Sequence, residues 1–264
     1  FKKYLINPLF TGDDAAVLPV SDKRLAFSTD GFIVSPPEFP GGNIGKLSIC
    51  GTVNDLACMG AIPRYLACAF VIEEGMLLAE LERYVASMAE TAAEAGIHIV
   101  AGDTKVSGKG QVDKLFITTT GIGEIRDEAH TSGTLAKPGD KIIVSGDVGR
   151  HGCAILLARY TFGIDADVTS DCAPLNRTID LLYDVTDDIH VIRDATRGGV
   201  GTVLYEICEQ SGVGIRLDME AVPVSPAVQG VCGMLGLEPL YLACEGRLVI
   251  IVPAADVDGI IKIL

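Results

Sequence analysis

The stretch Ile44 to Pro63, IGKLSICGTVNDLACMGAIP, predicts a helix on which the arrangement of the rest of the chain depends. Asn43 precedes it, and its side-chain oxygen can accept a hydrogen bond from the free backbone N–H groups of a first helical turn. Apolar residues recur at helical spacing, so we expect one face of the helix to pack against a core. Gly60 can take the left-handed conformation that ends a helix, and Pro63 prevents its continuation.

Asn54 and Asp55 lie in the middle of this predicted helix, although neither residue type is a strong helix former. A solvated polar face is one interpretation, and a binding site is the other. Carboxylates also recur at strand ends and in glycine turns of the first half of the chain, at Asp13, Asp14, Asp30 and Asp103. Aspartate in such places often only caps or bends the chain. A cluster of carboxylates would repel itself unless a cation filled it, and carboxylate oxygens suit Mg²⁺ bound to substrate phosphates. The residues therefore predict a site for Mg²⁺ and a nucleoside triphosphate.

Composition limits the class of protein. The chain has 264 residues, enough for two domains, with 48% hydrophobic residues and a net charge of −14. Such an acidic chain has no excess of Lys and Arg for nucleic acid or an anionic membrane. None of the eight cysteines forms a C-x-x-C pair, which favours buried, reduced thiols in a cytoplasmic protein over disulfides or a zinc site. No apolar run reaches membrane-spanning length, and no signal peptide is visible.

Predicted strands and helices alternate along the chain. A polar stretch at 126–139 suggests a boundary between a first domain, 1–130, and a second, 131–264. The Tyr65–Ile72 strand is expected to be buried on both faces because it is continuously apolar. Further strands are predicted at 25–34, 97–106, 115–125, 141–145, 190–194, 214–219 and 248–252, and further helices at 77–95, 152–160, 170–183, 200–210 and from 256 onward.

Four residues could act on a substrate. Lys105 could balance phosphate charge or carry a proton, or it could simply pair with a neighbouring aspartate. Arg193 and Arg197 surround a turn that opens a helix, where backbone N–H groups favour an anion, although a salt-bridged turn would look the same. Glu245 could be a general base if its surroundings raised its pKa, but on its own it is more typical of a turn. The four histidines lack metal-ligand spacing, and neither a P-loop nor a Rossmann glycine pattern nor a nucleophile elbow is present.

Several motifs together resemble one family. TGDDAA, FSTD, FPGGNIGKLSICGTVNDLACMGAIPRYL, AGDTKV and RDATRGGV, in this order, are similar to the HypE family of hydrogenase maturation proteins, within the aminoimidazole ribonucleotide synthetase-like (PurM-like) superfamily. The resemblance implies a two-domain PurM-like α+β fold. The N-terminal domain would pair with its twin in a homodimer to form a β-barrel, and the C-terminal domain would be an α/β sandwich.

The resemblance also implies a reaction, the ATP-dependent dehydration of a carboxamide on the family's C-terminal cysteine to a thiocyanate, the source of cyanide for [NiFe]-hydrogenase. Glu245 would be the base with Lys105 assisting, and Arg193 or Arg197 would hold the tail or a phosphate. Mg²⁺ would bind Asp13, Asp14, Asp55 and Asp103. ATP contacts would come from Asp13, Asp14, Asp30, Asn54, Asp55, Gly102, Asp103, Thr104 and Lys105.

The expected partners are a HypF-type carbamoyltransferase, which loads the cysteine, and an iron-ligand assembly scaffold of the HypC–HypD type. The family's terminal cysteine and its glycine-rich N-terminal segment are not in the sequence, which starts at Phe1 and stops at Leu264. A chain trimmed of these segments and one in which they are disordered both fit this pattern. Two alternatives stay open: a small-molecule kinase or synthetase of the thiamine-monophosphate kinase or selenophosphate synthetase type, and a nucleotide-binding scaffold without turnover.

Overall fold

A five-stranded sheet forms the first domain. The computed structural model describes residues 13–20 and 23–264, so Gly12, which precedes the two aspartates, lies outside the described residues. The strand order is β1-β2-β7-β5-β6, and every neighbouring pair is antiparallel except β5 and β6. The elements are β1 (Ala16–Val20), β2 (Lys23–Phe32), the short β3 (Glu38–Phe39) and β4 (Gly42–Asn43), α1 (Ile44–Cys58), β5 (Ala61–Glu73), α2 (Leu78–Ala95), β6 (His98–Ser107) and β7 (Leu115–Ile125). The described sheet is open and does not close into a barrel.

Helix α1 is the most deeply buried element of this domain. Asn43 caps it, since its Oδ1 accepts a hydrogen bond from the Lys46 N–H at 3.1 Å, and Gly60 takes the predicted left-handed conformation with φ 72°. The expectation of one buried face is wrong, because only Lys46 and Asp55 of its 15 residues are not buried. The helix packs on the first sheet and on α2, and it also contacts elements of the second domain. Although five of its 15 residues are polar, the buried polar side chains are hydrogen-bonded, as burial requires.

The prediction that strand β5 is buried on both faces is also wrong. Tyr65 is 51% exposed while Leu66 and Cys68 are buried. The reason is that the helices cover only one face of the sheet, and the described residues leave the other face open. Helix α2 ends at Gly96 as predicted.

The second domain packs helices on a three-stranded antiparallel sheet of order β8-β10-β9. Residues 126–140 connect it to the first domain. Its elements are β8 (Lys141–Val144), α3 (Arg150–Arg159), α4 (Asn176–Tyr183), β9 (Val191–Asp194), α5 (Gly199–Ser211), α6 (Pro226–Leu235), β10 (Leu248–Val252) and α7 (Val257–Ile261). One hydrophobic core joins Leu56 and Ala57 of α1 to Ile179 and Ile250 of the second domain, so the two domains share part of their interior.

Two predicted elements of the second domain differ from the structure, and one helix of this domain was not predicted. Residues 214–218 are irregular rather than a strand and lead into a short 3₁₀ turn, and residues 170–175 form a loop before α4. Helix α6 was not predicted, although its signals are present: Ser225 caps it by accepting from the Val228 N–H, Pro226 occupies its first turn, and Gly236 ends it.

The cysteines agree with the prediction of reduced thiols. All eight are free, and all but Cys208 are buried. In residues 13–20 and 23–264, no helix is both long and apolar enough to cross a membrane.

The close approach of α1 to α2 yields a stability prediction. A Cβ at Gly45 would overlap the Tyr84 carbonyl oxygen, whereas a Cβ at the helical Gly230 would meet open space. We expect Gly45→Ala to lower the free energy of unfolding by about 1–3 kcal/mol through overpacking. Gly230→Ala, the matched control, should leave it unchanged or raise it by up to ~1 kcal/mol because alanine favours the helix. Urea denaturation measures both, and equal stability of the two variants would contradict the packing described.

Candidate active site

A cavity of about 800 Å³ opens between the two domains. Its floor combines charged groups of both domains, and its wall includes apolar side chains such as Phe32, Ile33 and Leu156. The polar and charged residues that line it are Asp13, Asp14, Ser28, Thr29, Asp30, Asp55, His151, Arg159, Arg193, Asp194, Thr196, Arg197, Glu206 and Glu245. Most of the predicted site residues are therefore in one place.

Three carboxylates form a cluster in this cavity. One oxygen from each of Asp14, Asp55 and Asp194 lies within 4.8 Å of the others. Burial, and then the charge of its neighbours, raises the pKa of Asp14 and of Asp55 well above the usual range. The pKa of Asp194 is raised to about 6, chiefly by burial. Among the described residues, the Oδ2 atoms of Asp14 and Asp194 are buried without a hydrogen-bond partner. Buried, mutually repelling oxygen donors with free lone pairs are a donor set that fits Mg²⁺.

Arg193 compensates part of this negative charge. Its Nε lies 2.5 Å from Asp14 Oδ1, and its Nη2 lies 3.1 Å from Glu206 Oε2. The side chain is buried, so its charge is held in place by these two carboxylates. In the structure Arg193 thus pairs with two carboxylates, and its contact with the tail or a phosphate stays a prediction.

Asp13 and Asp30 lie on either side of the cluster. Asp13 accepts hydrogen bonds from the Ser132 hydroxyl and the Gly133 N–H, both at 3.0 Å. These bonds join Asp13 to the segment that connects the domains. Burial raises the pKa of Asp30 above its ordinary value, and its Oδ1 accepts from the Gly31 N–H at 2.9 Å. Asp55 accepts from the Ser28 hydroxyl at 2.7 Å.

Glu245 lies at the end of the cavity formed by the second domain. Burial, followed by the nearby Cys172, raises its pKa well above the usual range, and Asp194 adds to the shift. A carboxylate so destabilised is a stronger base than one in water. His151 also lines the cavity, and burial lowers its pKa to about 4, so the imidazole is neutral at physiological pH.

Arg197 is an exposed cation of the site. Its side chain is 93% exposed, and its Nη2 lies 4.0 Å from Asp30 Oδ1. The next residues, Gly198 and Gly199, both have positive φ and open helix α5, and a helix start of this kind favours an anion. An anionic group of a ligand would be favoured here.

Five predicted site residues lie outside the cavity. Asn54 is 1% exposed, and its amide bonds the backbone of the loop before α4: Nδ2 donates to the Ala173 carbonyl at 3.1 Å, and Oδ1 accepts from the Leu175 N–H at 2.7 Å. Both polar atoms of this amide are engaged by the backbone, and a nucleotide contact of Asn54 stays a prediction.

The other four lie on β6 at the edge of the sheet: Gly102, Asp103, Thr104 and Lys105. Lys105 pairs with Asp103 at 3.2 Å, and their side chains are 71% and 61% exposed. Three strand steps separate β6 from the Asp30 strand, about 14 Å at the usual strand spacing. Within one chain, this segment does not contribute to the cavity.

Comparison with known proteins identifies the family. Residues 12–125 match the N-terminal domain of AIR synthase related proteins, and residues 137–264 match their C-terminal domain. The carbamoyl dehydratase HypE of Escherichia coli (strain K12) is 50% identical over 251 residues, which cover 95% of this chain and 74% of the relative.

The chain belongs to the HypE family.

Solved structures agree with this membership. HypE in a complex with HypF matches with a TM-score of 0.96 at 45% identity, over 100% of this chain and 86% of that one. HypE in complex with ATP matches with a TM-score of 0.88 at 48% identity, over 100% and 78%. The PurM-like two-domain fold and the family resemblance of the motifs are thereby confirmed.

Asp194, His151 and Glu206 were missed by the sequence analysis. Asp194 follows Arg193 directly and ends strand β9, so the strand-end pattern that marked the other aspartates also applied to it. His151 and Glu206 carry no such signal, because only the packing of α3 and α5 brings them to the cavity.

The two arginines provide a matched pair of variants. Arg193→Met leaves Asp14 and Glu206 without their cation, so we expect the free energy of unfolding at pH 7.5 to fall by about 3 kcal/mol. Arg197→Met removes an exposed charge and should change it by less than about 0.5 kcal/mol. Urea denaturation without divalent cations measures both. A loss for Arg193→Met as small as that for Arg197→Met would contradict a buried, compensating Arg193.

Proposed function

We propose that the chain is an ATP-dependent carbamoyl dehydratase of [NiFe]-hydrogenase maturation. Its substrate would be an S-carboxamide on the C-terminal cysteine of the family. The observation that carries the proposal is the 50% identity to a carbamoyl dehydratase over 95% of the chain, together with a cavity that unites a carboxylate cluster and Glu245. A relative at this identity supports the dehydratase over a kinase or a scaffold without turnover.

The proposed reaction has two steps, a phosphorylation and an elimination. The carboxamide oxygen attacks the γ-phosphorus of ATP, ADP leaves, and a poor leaving group becomes a phosphate ester. Loss of the nitrogen protons then expels inorganic phosphate and leaves R–S–C≡N. The net change is removal of one water from the carboxamide, driven by hydrolysis of ATP to ADP and phosphate.

Asp14, Asp55 and Asp194 would hold Mg²⁺, because they form the donor set described above. Mg²⁺ bound there would neutralise charge on the phosphate oxygens during phosphoryl transfer. We include Asp194 among the ligands in place of Asp13 and Asp103. The Asp13 carboxylate already accepts hydrogen bonds from Ser132 and Gly133, and Asp103 lies on β6. Arg197 and the start of α5 would bind an anionic group, either a phosphate or the tail carboxylate.

Glu245 would remove the nitrogen protons. Its carboxylate lines the cavity, and its raised pKa brings its basicity closer to what proton transfer at neutral pH requires. The neighbouring His151 stays neutral and can donate or accept one hydrogen bond without adding positive charge.

Lys105 and Asp103 would enter the site from a second copy of the chain. The outer face of the sheet carries a row of apolar side chains across three paired strands, Phe27, Ile122 and Tyr65, all substantially exposed. Strand β6 beyond them is an edge with exposed Val100 and Val106. An uncovered apolar sheet face and a free edge favour pairing with another chain. We therefore infer a homodimer whose sheets together form the family's β-barrel.

Two further partners are proposed. A HypE protein has been crystallised with HypF, which supports a HypF-type carbamoyltransferase as the protein that loads the cysteine of this chain. An iron-ligand assembly scaffold of the HypC–HypD type would then receive the cyanide group.

Intact mass spectrometry tests the function. The full-length protein, carboxamidated on its terminal cysteine by its carbamoyltransferase, should lose the mass of one water on addition of Mg-ATP. Glu245→Gln should keep the carboxamide mass while still binding ATP, whereas Glu209→Gln, on the exposed surface of α5, should behave as the parent protein. Retention of the water by the parent protein would refute the function, and full activity of Glu245→Gln would refute the role of this residue.

Substitution of one proposed metal ligand tests the carboxylate cluster. Asp194→Asn removes one negatively charged donor, so we expect the affinity for Mg-ATP to fall by at least roughly tenfold, since even residues that only orient a metal ligand contribute that much. Asp258→Asn, on the exposed surface of α7, is the control and should leave the affinity unchanged. Calorimetric titration measures both. An equal affinity of the two variants, or an Asp194→Asn effect that persists in EDTA, would argue against a metal at this cluster.

A further inference from the structure

The loop of residues 170–175 lies between helix α1 and Glu245. Ser170, Asp171, Cys172 and Leu175 in it are buried, although the loop has no regular secondary structure. A buried loop must satisfy its backbone groups through specific partners. The hydrogen-bond partners of the 170–175 loop show which parts of the site it connects.

Asn54 holds one side of the loop. Its side-chain amide donates to the Ala173 carbonyl and accepts from the Leu175 N–H, so both of its polar atoms are engaged. Asn54 is itself fixed by α1, which is buried on nearly all sides. The loop is therefore tied to the same helix that carries Asp55.

Asp171 and Ala173 hold Glu245 from the other side of the loop. Asp171 Oδ1 accepts a hydrogen bond from the Glu245 N–H at 3.2 Å, and the Ala173 N–H donates to the Glu245 carbonyl at 3.3 Å. The next residue must be glycine, because a Cβ at Gly246 would overlap the Asp171 carbonyl oxygen. The side chain of Asp171 is fully buried, with Arg247 Nε 4.0 Å from its Oδ2.

Ser170 fixes the start of the loop against both domains. Its N–H donates to the Pro40 carbonyl at 2.8 Å, and its hydroxyl lies 2.8 Å from His151 Nδ1 and accepts from the Cys172 N–H at 3.0 Å. The loop thus has anchors in the first domain, at Pro40 and Asn54, and in the second, at His151 and Glu245.

We infer that Asp171 and Asn54 are positioning residues that set the place of Glu245 in the cavity. The path runs from the Asn54 amide through the backbone of residues 173–175, and from the Asp171 carboxylate, to the backbone of Glu245. Because Asn54 and Asp55 are consecutive on α1, one rigid helix then fixes both the carboxylate cluster and the base. Neither positioning residue contacts the substrate.

The catalytic consequence of this inference rests on the proposed function. Displacement of a base by a fraction of an ångström to an ångström lowers the rate of the chemical step and leaves ground-state binding of ATP largely intact. A purely structural role would instead lower stability without this separation of kcat from KM.

Single-turnover dehydration of the full-length, carboxamidated protein provides the test, with the rate constant, the KM for ATP and the melting temperature measured for each variant. Asp171→Ala and Asn54→Ala should each lower the rate constant about 10- to 100-fold, the range found for groups that orient a functional residue, with the KM for ATP within about threefold. Asp171→Asn keeps an acceptor for the Glu245 N–H and should restore the rate constant to within about fivefold of the parent.

Asn176→Ala is the matched control. Asn176 is also a buried asparagine that donates to a backbone carbonyl, that of Ala95 at 2.8 Å, but it does not touch the 170–175 loop bonds to Glu245. It should lower the melting temperature while keeping the rate constant. Parent-like rates for Asp171→Ala and Asn54→Ala, or a loss in Asn176→Ala that equals theirs, would overturn the inference.

Crystal structures separate this inference from the proposed function. In Asp171→Ala the Glu245 carboxylate should be displaced from its place in the parent structure, and in Asp171→Asn it should return to it. This holds whether or not the parent protein dehydrates a carboxamide. An unmoved Glu245 in Asp171→Ala would overturn the positioning role even if the dehydratase activity were established.

Discussion

The burial of helix α1 between two domains is the constraint on which the site depends. Its apolar side chains pack on the first sheet and also enter the core of the second domain, so the helix can neither rotate nor slide without opening both. Consecutive residues on a helix point about 100° apart. Asp55 therefore faces the cavity while Asn54 faces the loop before α4. Each is a poor helix former, but Asp55 contributes to the carboxylate cluster and Asn54 binds the loop backbone.

The electrostatics of the cavity follow from this packing. Asp55 from α1, Asp14 from the start of the chain and Asp194 from the end of β9 converge because the strands and the helix that carry them meet at the domain boundary. Desolvation raises the pKa of all three, repulsion within the cluster raises the pKa of Asp14 and Asp55 further, and Arg193 offsets only part of the charge. The fold holds an unfavourable arrangement of charge in place, which a divalent cation would relieve.

Much of this could be predicted from local signals in the sequence. The cap at Asn43, the left-handed Gly60, and strands β7 and β10 were predicted at or near their observed bounds, because caps, glycine turns and apolar runs act within a few residues. The family motifs gave the fold and the function. Helix α6 was missed because its short sequence contains two glycines, although Ser225 and Gly236 marked its ends.

What could not be predicted depends on long-range packing. The exposure of Leu78 and the buried, paired state of Arg193 follow from which sheet face is covered and which carboxylate lies opposite. Lys105 and Asp103 belong to a family motif, but only the strand order shows that they lie at the far edge of the sheet from Asp30. Sequence indicates which residues are candidates, and topology decides whether one chain or two must bring them together.

Anomalous diffraction from crystals of the protein grown with Mn²⁺ and a non-hydrolysable ATP analogue would show whether the carboxylate cluster binds the metal of the nucleotide. We expect a manganese peak bonded to oxygens of Asp14, Asp55 and Asp194, with the nucleotide phosphates beside it in the cavity between the domains. A manganese peak or a nucleotide bound elsewhere, with these three carboxylates unligated, would refute a metal site at this cluster.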